Sequence, residues 1–377
     1  MVNTAKGYLN YIGEGVNKYT QAPEHKQPLN SLIGEAEKLL QAEGTKKGEY
    51  QAATAEIKAV VDGLIINQPV AGHFYRIRCK DGNRYLTTEN STNNDKRLQT
   101  ENDQLKAALL LLGNNKELLC YQKGLYFGHN QKDYNFLAVG SERQIAEFSG
   151  SNSTTGAYFI KVGGRFIFGS QTIDSGTSPD TRMGYNWWLE EVTTLPVTVS
   201  AAGWATLYAP VALTIPEGLT GVYTAAVEGK TLKLTALNGT IPANTPVLIE
   251  ANAATYNFTI DYNAAAEAQT TGLKGTLETI NKPADKTIYT LQKPENKNIG
   301  FYKYNGQTLQ GFRAYGENLL GTTSTAEGLI FDKGDVTAIE NVEINDGKQT
   351  VIYDLNGRRV EKMLKGIYIV NGKKVIK

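Results

Sequence analysis

The sequence predicts a mainly β, multi-domain chain that opens with a short helical segment, and three observations point there. Tyr is abundant, at 21 residues against 11 Phe and 3 Met, and stands beside 38 Gly; this composition suits pleated sheets and tight turns. A turn-and-strand pattern recurs three times between residues 73 and 192. From about 195 to 335, apolar strand-like runs alternate with turn formers.

The bulk numbers exclude several classes. The 377 residues admit two to four domains at roughly 100–200 residues each. A net charge of +1, from 39 basic and 38 acidic side chains, gives no pull toward nucleic acid or an anionic membrane surface. No apolar run approaches the ~20 residues of a membrane span. The opening MVNTAKGYLNYIGEG has no basic stretch followed by an apolar core, so it does not read as a signal peptide. An exported form would be a mature chain or the C-terminal piece of something longer.

Residues 1–67 are expected to form a three-helix bundle. Lys26–Glu43 places Leu29, Leu32, Ile33, Ala36, Leu39 and Leu40 on one face at helical spacing, with Pro28 near its start and Gly44 past its end. Glu49–Leu64 repeats the pattern with Ala52, Ile57, Val60, Val61 and Leu64. Val2–Tyr19 is the weakest of the three, because Gly7, Gly13 and Gly15 cost helix stability. Asn67-Gln-Pro69 ends the bundle.

Residues 70–193 carry the repeat. Tyr85, Tyr126 and Phe166 each follow a turn glycine and lie 41 and 40 residues apart. Apolar strands precede them at Phe74–Ile77, Leu118–Tyr121 and Tyr158–Val162, and close each copy at Leu109–Leu112, around Phe148 and at Trp187–Val192. Leu109, Phe148 and Trp187 are 39 residues apart in both steps. Three copies of a roughly four-strand unit, none able to bury its own face, should close around a pseudo-threefold axis as a β-trefoil. In layout this resembles the ricin-type and fascin-like trefoils. It departs from the former by lacking Gln-x-Trp in each copy; only Trp187-Trp188-Leu189 comes near it. Trp187 and Leu189 share a strand face, expected to be core, and Trp188 takes the other. Cys79 and Cys120 sit six residues before Tyr85 and Tyr126; they read either as buried thiols or as a disulfide.

Residues 194–335 read as an antiparallel β-sandwich. Leu195–Ser200, Ala205–Ala209, Leu232–Leu237, Pro246–Glu250, Tyr256–Asp261, Thr287–Leu291 and Ile299–Tyr304 are strand-like, with turns such as Glu228-Gly229 and Asn238-Gly239 between them. WLEEVTTLPVTVSAAGWATLYAPVALTIP, followed by GTIPANTPVLIE, is similar to a module near the C-termini of large secreted proteins of Gram-negative gut and oral anaerobes. Many of those bind or act on glycans. The resemblance covers roughly Trp187–Ile330.

In residues 336–377, Val351–Leu355 turns at Asn356-Gly357 into Arg358–Val360, and Gly366–Val370 turns at Asn371-Gly372 into Lys373–Lys377. Asn-Gly between alternating apolar runs marks a hairpin. YDLNGRRV, then KGIYIV, then a basic terminal strand resembles the C-terminal sorting domain of type IX secretion cargo. The resemblance implies passage through the outer membrane, followed by surface attachment or release, with Tyr353, Asp354, Leu355, Asn356, Gly357, Gly366, Tyr368 and Lys377 as its signature. The segment is short for a free-standing domain, and the alternative is a plain pair of hairpins.

Catalytic chemistry finds little support. His25, His73 and His129 form no His-x-x-x-His and no ligand spacing with cysteine. No serine sits in a Gly-x-Ser-x-Gly elbow. Glu190 and Glu191 are adjacent on a strand and point to opposite faces, so they cannot flank one glycosidic bond. No catalytic, metal or cofactor residues are assigned. Loops of the repeat offer polar and aromatic groups for a ligand instead: Asp81 and Asn83 in the first copy, Asp133 and Tyr134 in the second, Asp180, Arg182 and Tyr185 in the third. Each also reads as part of a solvated loop. The expected function is a non-catalytic secreted or cell-surface binding protein, or an accessory region of a larger secreted glycan-active protein. Its partners would be a glycan or cell-surface polymer and, through the tail, secretion machinery. The alternatives are spacer or adhesin modules without glycan affinity, and a hydrolase with distant paired carboxylates.

Overall fold

A computed structural model describes the chain except residues 21–28, 81–82, 90, 92–97, 130–136, 170, 180–182, 265–266, 321–327, 334–351, 355–357, 361–362, 364–365, 371–372 and 377. It is mainly β, with three α-helices and several sheets among the described residues, gathered in two units, Met1–Phe331 and Asp332–Lys377.

Helices α1 (Val2–Leu9), α2 (Leu29–Gln41) and α3 (Lys47–Asp62) bury Ala5, Leu29, Leu32, Ile33, Ala36, Ile57 and Val60 against one another. The expected faces of α2 and α3 hold at these positions, but Leu40 is 60% exposed and Ala52 is exposed too. Gly44 takes φ +81° just beyond α2, as a left-handed cap requires. The first helix is much shorter than its pattern suggested. It stops at Leu9, and Asn17 at φ +61° and Gly15 at φ +85° redirect the chain. Strand β1 (Tyr19–Thr20) then pairs antiparallel with β2 (Ile65–Ile66). Tyr19 and Ile66 join the core of the following region, so the helical segment is seated on it.

That region repeats a four-strand unit three times. The first copy holds β3 (Phe74–Cys79), β4 (Arg84–Thr87), β5 (Gln99–Glu101) and β6 (Leu110–Leu112); the second, β7 (Leu118–Cys120), β8 (Leu125–His129), β9 (Leu137–Gly140) and β10 (Ala146–Gly150); the third, β11 (Tyr158–Val162), β12 (Arg165–Phe168), β13 (Asp174–Gly176) and β14 (Trp187–Glu191). The first and last strands of the copies pair in a closed ring: β3 with β6, β6 with β7, β7 with β10 through the Glu117–Ile145 bridge, β10 with β11, β11 with β14, and β14 back to β3. The middle strands form three hairpins. At their turn ends the Leu98 amide donates to the Leu137 carbonyl (2.8 Å), Leu137 to Ile173 (3.3 Å) and Ile173 to Leu98 (2.9 Å). These three fully buried residues hand one hydrogen bond each around a cycle.

Strand alternation decides what fills the ring. Tyr75, Ile77, Cys79, Leu110, Cys120, Tyr158, Ile160, Trp187 and Leu189 point in. Leu110, and not Leu109, is therefore the first-copy counterpart of Phe148 and Trp187; Leu109 packs with the outer cluster, one residue off the spacing read from sequence. Both cysteines are buried thiols that form no disulfide, which removes the disulfide alternative. The Cys79 thiol donates to the Gly169 carbonyl at 3.1 Å, and burial pushes the Cys120 thiol pKa up.

Residues 194–332 build a four-stranded sheet around Thr194–Val199 and Ala254–Asp261, and a nine-stranded sheet running from Trp204–Leu207 through Gly221–Glu228 and Thr231–Leu237 to Arg313–Glu317 and Lys274–Thr276. Phe74, Leu111, Leu119 and Tyr126 on the outside of the ring share a core with Leu195, Val197, Phe258 and Phe312. The joint is closely fitted. The Tyr262 hydroxyl accepts from the Phe74 amide (3.0 Å) and donates to the Val192 carbonyl (2.7 Å), and its ring stacks on His73 at 3.8 Å. Gly124, at φ +59°, approaches Gly311 so closely that a Cβ on it would lie 2.7 Å from the Gly311 Cα. Thr279 clamps the same spot, accepting from the Gly311 amide (3.0 Å) and donating through its hydroxyl to the Lys123 carbonyl (2.7 Å).

In the second unit, Arg359–Val360, Ile352–Asp354, Ile367–Val370 and Lys373–Ile376 form a four-stranded antiparallel sheet in that order. Tyr353 is paired with Arg359 and Ile369, and Tyr368 with Asp354 and Val375. The Arg358 amide donates to the Asp354 carboxylate (2.9 Å), and Gly366 precedes the third strand. Leu355, Asn356, Gly357 and Lys377 lie outside the described residues.

Two outcomes follow from this packing. Trp187 is fully buried and donates through its indole nitrogen to the Ile167 carbonyl at 3.1 Å. Trp187→Ala should lower stability by about 3–5 kcal/mol in urea unfolding, and Trp188→Ala by clearly less; equal losses would contradict the inward face assigned here. Burial also pushes the Tyr75, Tyr121 and Tyr158 phenols up to about 12. These phenols stay neutral in the fold while the unfolded chain ionises near the ordinary value of 10. Their stabilisation is thus whole below about pH 10 and is lost as pH rises toward 12. Each phenol adds a slope of at most about 1.4 kcal/mol per pH unit. Urea melts between pH 10 and 12 should show a shallower decline for Tyr121→Phe than for the parent, and identical slopes would refute the assignment.

Candidate functional site

With Trp187 and Leu189 turned inward, Trp188 and Glu190 emerge on the outer face of β14. The register sets Trp188 opposite Arg78 and Glu190 opposite Arg76 on β3, while β4 brings Tyr85 opposite Arg78. Five side chains from three strands thus meet on one patch, and Arg78 is its centre. Its guanidinium lies 4.6 Å from the centre of the Trp188 ring, within cation–π range. Its Nε donates to Glu190 Oε1 at 2.8 Å, and its Nη1 donates to Asn83 Oδ1. Glu190 also accepts from the Tyr85 hydroxyl (3.2 Å) and from Gln104 Nε2 (3.1 Å). Asn83 adopts φ +53°, a conformation that Asn tolerates better than most residues.

The Arg78 and Glu190 side chains are 23% and 28% exposed, so the pair is open to solvent on one side and shielded on the other. Burial and then the Glu190 charge push the Tyr85 phenol pKa up, keeping it a hydrogen-bond donor. Arg76 adds a second cation, and its Nε is buried without a hydrogen-bond partner among the described residues. The patch thus combines a guanidinium fork, a carboxylate, a phenol, an amide and an indole. Its paired donors and acceptors have the spacing to meet neighbouring hydroxyls, next to an apolar ring.

The residues expected to face a ligand are distributed unevenly. Asn83 belongs to the patch. Tyr185 does not present its ring: it is 3% exposed and stacked on Phe168 at 4.7 Å, so it serves packing. Asp81, Asp133, Tyr134, Asp180 and Arg182 lie outside the described residues. Glu191, next to Glu190, reaches a different partner, His73. Among the described residues, no group of three His, Cys, Asp or Glu side chains gathers as a metal site, and no helix is long and apolar enough to cross a membrane. Sequence reading passed over Arg76, Arg78, Tyr85, Gln104 and Glu190 as a group. The available signal was a pair of period-two patterns, Arg76-x-Arg78 and Trp188-x-Glu190, each exposing alternate residues of a strand whose other face is apolar.

In comparisons with known proteins, no family model matches the chain and no curated protein matches it. Among solved structures, the crystal structure of Cry35Ab1 is similar at 9% identity and a TM-score of 0.26, over 66% of this chain and 88% of that one. Likeness of that degree carries no argument about function.

Proposed function

We propose that this protein is a non-catalytic binding protein whose repeat region, read as a β-trefoil over residues 70–193, holds a hydroxyl-rich polymer such as a glycan. The observation that carries this reading is the Arg78 cluster, where a guanidinium stacked on Trp188 and a carboxylate shared by Tyr85 and Gln104 stand together at the surface. Vicinal hydroxyls both donate and accept, so a fixed donor fork beside a fixed acceptor matches them, and the indole offers an apolar face for C–H groups. The trefoil reading is supported by the closed ring of six strands and by the hydrogen-bond cycle of Leu98, Leu137 and Ile173.

The rest of the chain fits the same reading as a helical bundle over residues 1–67, a β-sandwich over residues 194–335 and an export segment over residues 336–377. The export segment rests on its resemblance to type IX sorting domains and would place the protein outside the cell or on the outer-membrane surface. Fusing residues 336–377 behind a reporter in a type IX-competent cell should carry the reporter to the surface; retention inside would remove this part of the proposal.

The binding proposal is tested on a glycan array with the intact protein and two variants. Arg78→Ala and Trp188→Ala should each weaken the parent's signal by about tenfold or more, as expected for loss of a hydrogen bond to a charged group or of a ring contact. The Arg78–Glu190 pair is only partly exposed, so urea melts of both variants accompany the array, and a loss of binding is read at temperatures where each variant remains folded. Silence of the parent across host and plant glycans, or undiminished binding by both variants, would refute the proposal.

A further inference from the structure

The nine-stranded sheet curls until strands far apart in its order meet. The Tyr208 amide, just past Trp204–Leu207, donates to the Phe312 carbonyl at 3.1 Å. Arg313 reaches across the same seam, and its Nη1 donates to the Thr206 carbonyl at 3.0 Å. Beside this clasp the seam opens into a cleft of about 440 Å³, within the usual range for small-molecule sites. Trp204, Leu309 and Ala314 give it apolar walls, and Tyr304 and Tyr315 add aromatic ones.

Its polar lining is one-sided. Arg313 and Lys293 both line it, and among the described residues no Asp or Glu does. Arg313 makes one side-chain hydrogen bond, to Thr206, so most of the five N–H donors of its guanidinium are uncommitted among the described residues. Gln292 is fixed by its Nε2, which donates to Thr290 Oγ1 and to the Tyr302 carbonyl, both at 3.0 Å. Its Oε1 remains as an acceptor at a rigid position. A cleft with two cations, no carboxylate, aromatic walls and a fixed amide oxygen selects a ring that is anionic at one edge, apolar on its face and hydroxylated elsewhere.

We propose that this cleft binds an anionic saccharide unit, with Arg313 on the anionic group and Gln292 on a hydroxyl. The inference deepens the glycan reading, on which it rests for the ligand class, but it places a second site on a different sheet from the Arg78 patch. The anionic group could be a carboxylate or a sulfate, since a guanidinium fork pairs with either.

The test is calorimetric titration of the intact protein with galacturonate oligomers, with sulfated galactose oligomers and with neutral galactose oligomers, at low and at high salt. One or both anionic series should bind at least about tenfold more tightly than the neutral one at low salt, and the difference should shrink at high salt. The series that binds identifies the anionic group. Arg313→Gln should abolish the preference for charge. Lys293→Gln, at an exposed position that leaves the clasp intact, should weaken anionic binding by about threefold and flatten its salt dependence. Arg78→Ala should leave this site unchanged, so failure of the patch and failure of the cleft are told apart. Equal binding of neutral and anionic oligomers, no binding of either anionic series, or anionic binding that Arg78→Ala removes and Lys293→Gln does not affect, would overturn the proposal.

Discussion

The pairing of the last strand of the repeat region with its first is the constraint on which the rest of that region depends. Strand β14 lies along β3 from Trp187–Cys79 to Glu191–Tyr75. Without it the six strands would be an open sheet with two exposed edges and an apolar face only partly covered. With it, the inner and outer faces of every strand are fixed together, because a slip of one residue would turn Trp187 and Leu189 outward and Trp188 and Glu190 inward. The same closure sets Arg78 and Glu190 side by side although they stand 112 residues apart in the chain. The candidate site is therefore a consequence of closure as much as of the residues that compose it.

The outer surface of the ring is divided between two uses. Where Phe74, Leu111 and Leu119 emerge it is apolar and covered by the next β region. Where Arg76, Arg78, Tyr85 and Glu190 emerge it is polar and partly open. Phe74 and Arg76 are on the same strand and the same face, two residues apart, so the boundary between buried joint and open patch falls within a single turn of the pleat. Tyr262 seals that boundary from the far side through Phe74 and Val192.

Much of this architecture was legible before any coordinates, and what was not has physical reasons. The threefold spacing of Tyr85, Tyr126 and Phe166 announced a repeat, and alternation put Trp187 and Leu189 together on one strand face, the one expected to be core. The register of the first copy was misread by one residue because Leu109, Leu110, Leu111 and Leu112 are all buried, so the run has no period by which to tell its two faces apart. The first helix was overextended because its glycines were read by their helical cost alone, while the positive φ values at Gly15 and Asn17 turn the chain. Gly221–Glu228 was passed over as a strand because its paired alanines have weak β propensity; packing of Val222 and Ala225 decides it. The Arg78 patch was the hardest to foresee. Its members come from opposite ends of the region, and no local pattern states that those ends will touch.

The two glycines where the ring meets the second β region, Gly124 and Gly311, pass unnoticed in a list of polar or aromatic residues, yet they set the distance between two large bodies. A methyl group on Gly124 would have to occupy the place of the opposite backbone, and backbone held by the Thr279 clamp cannot yield as a side chain would. Tolerance to substitution at this joint is thus governed by absent volume, and the smallest side chains in the chain act there as its spacing gauge.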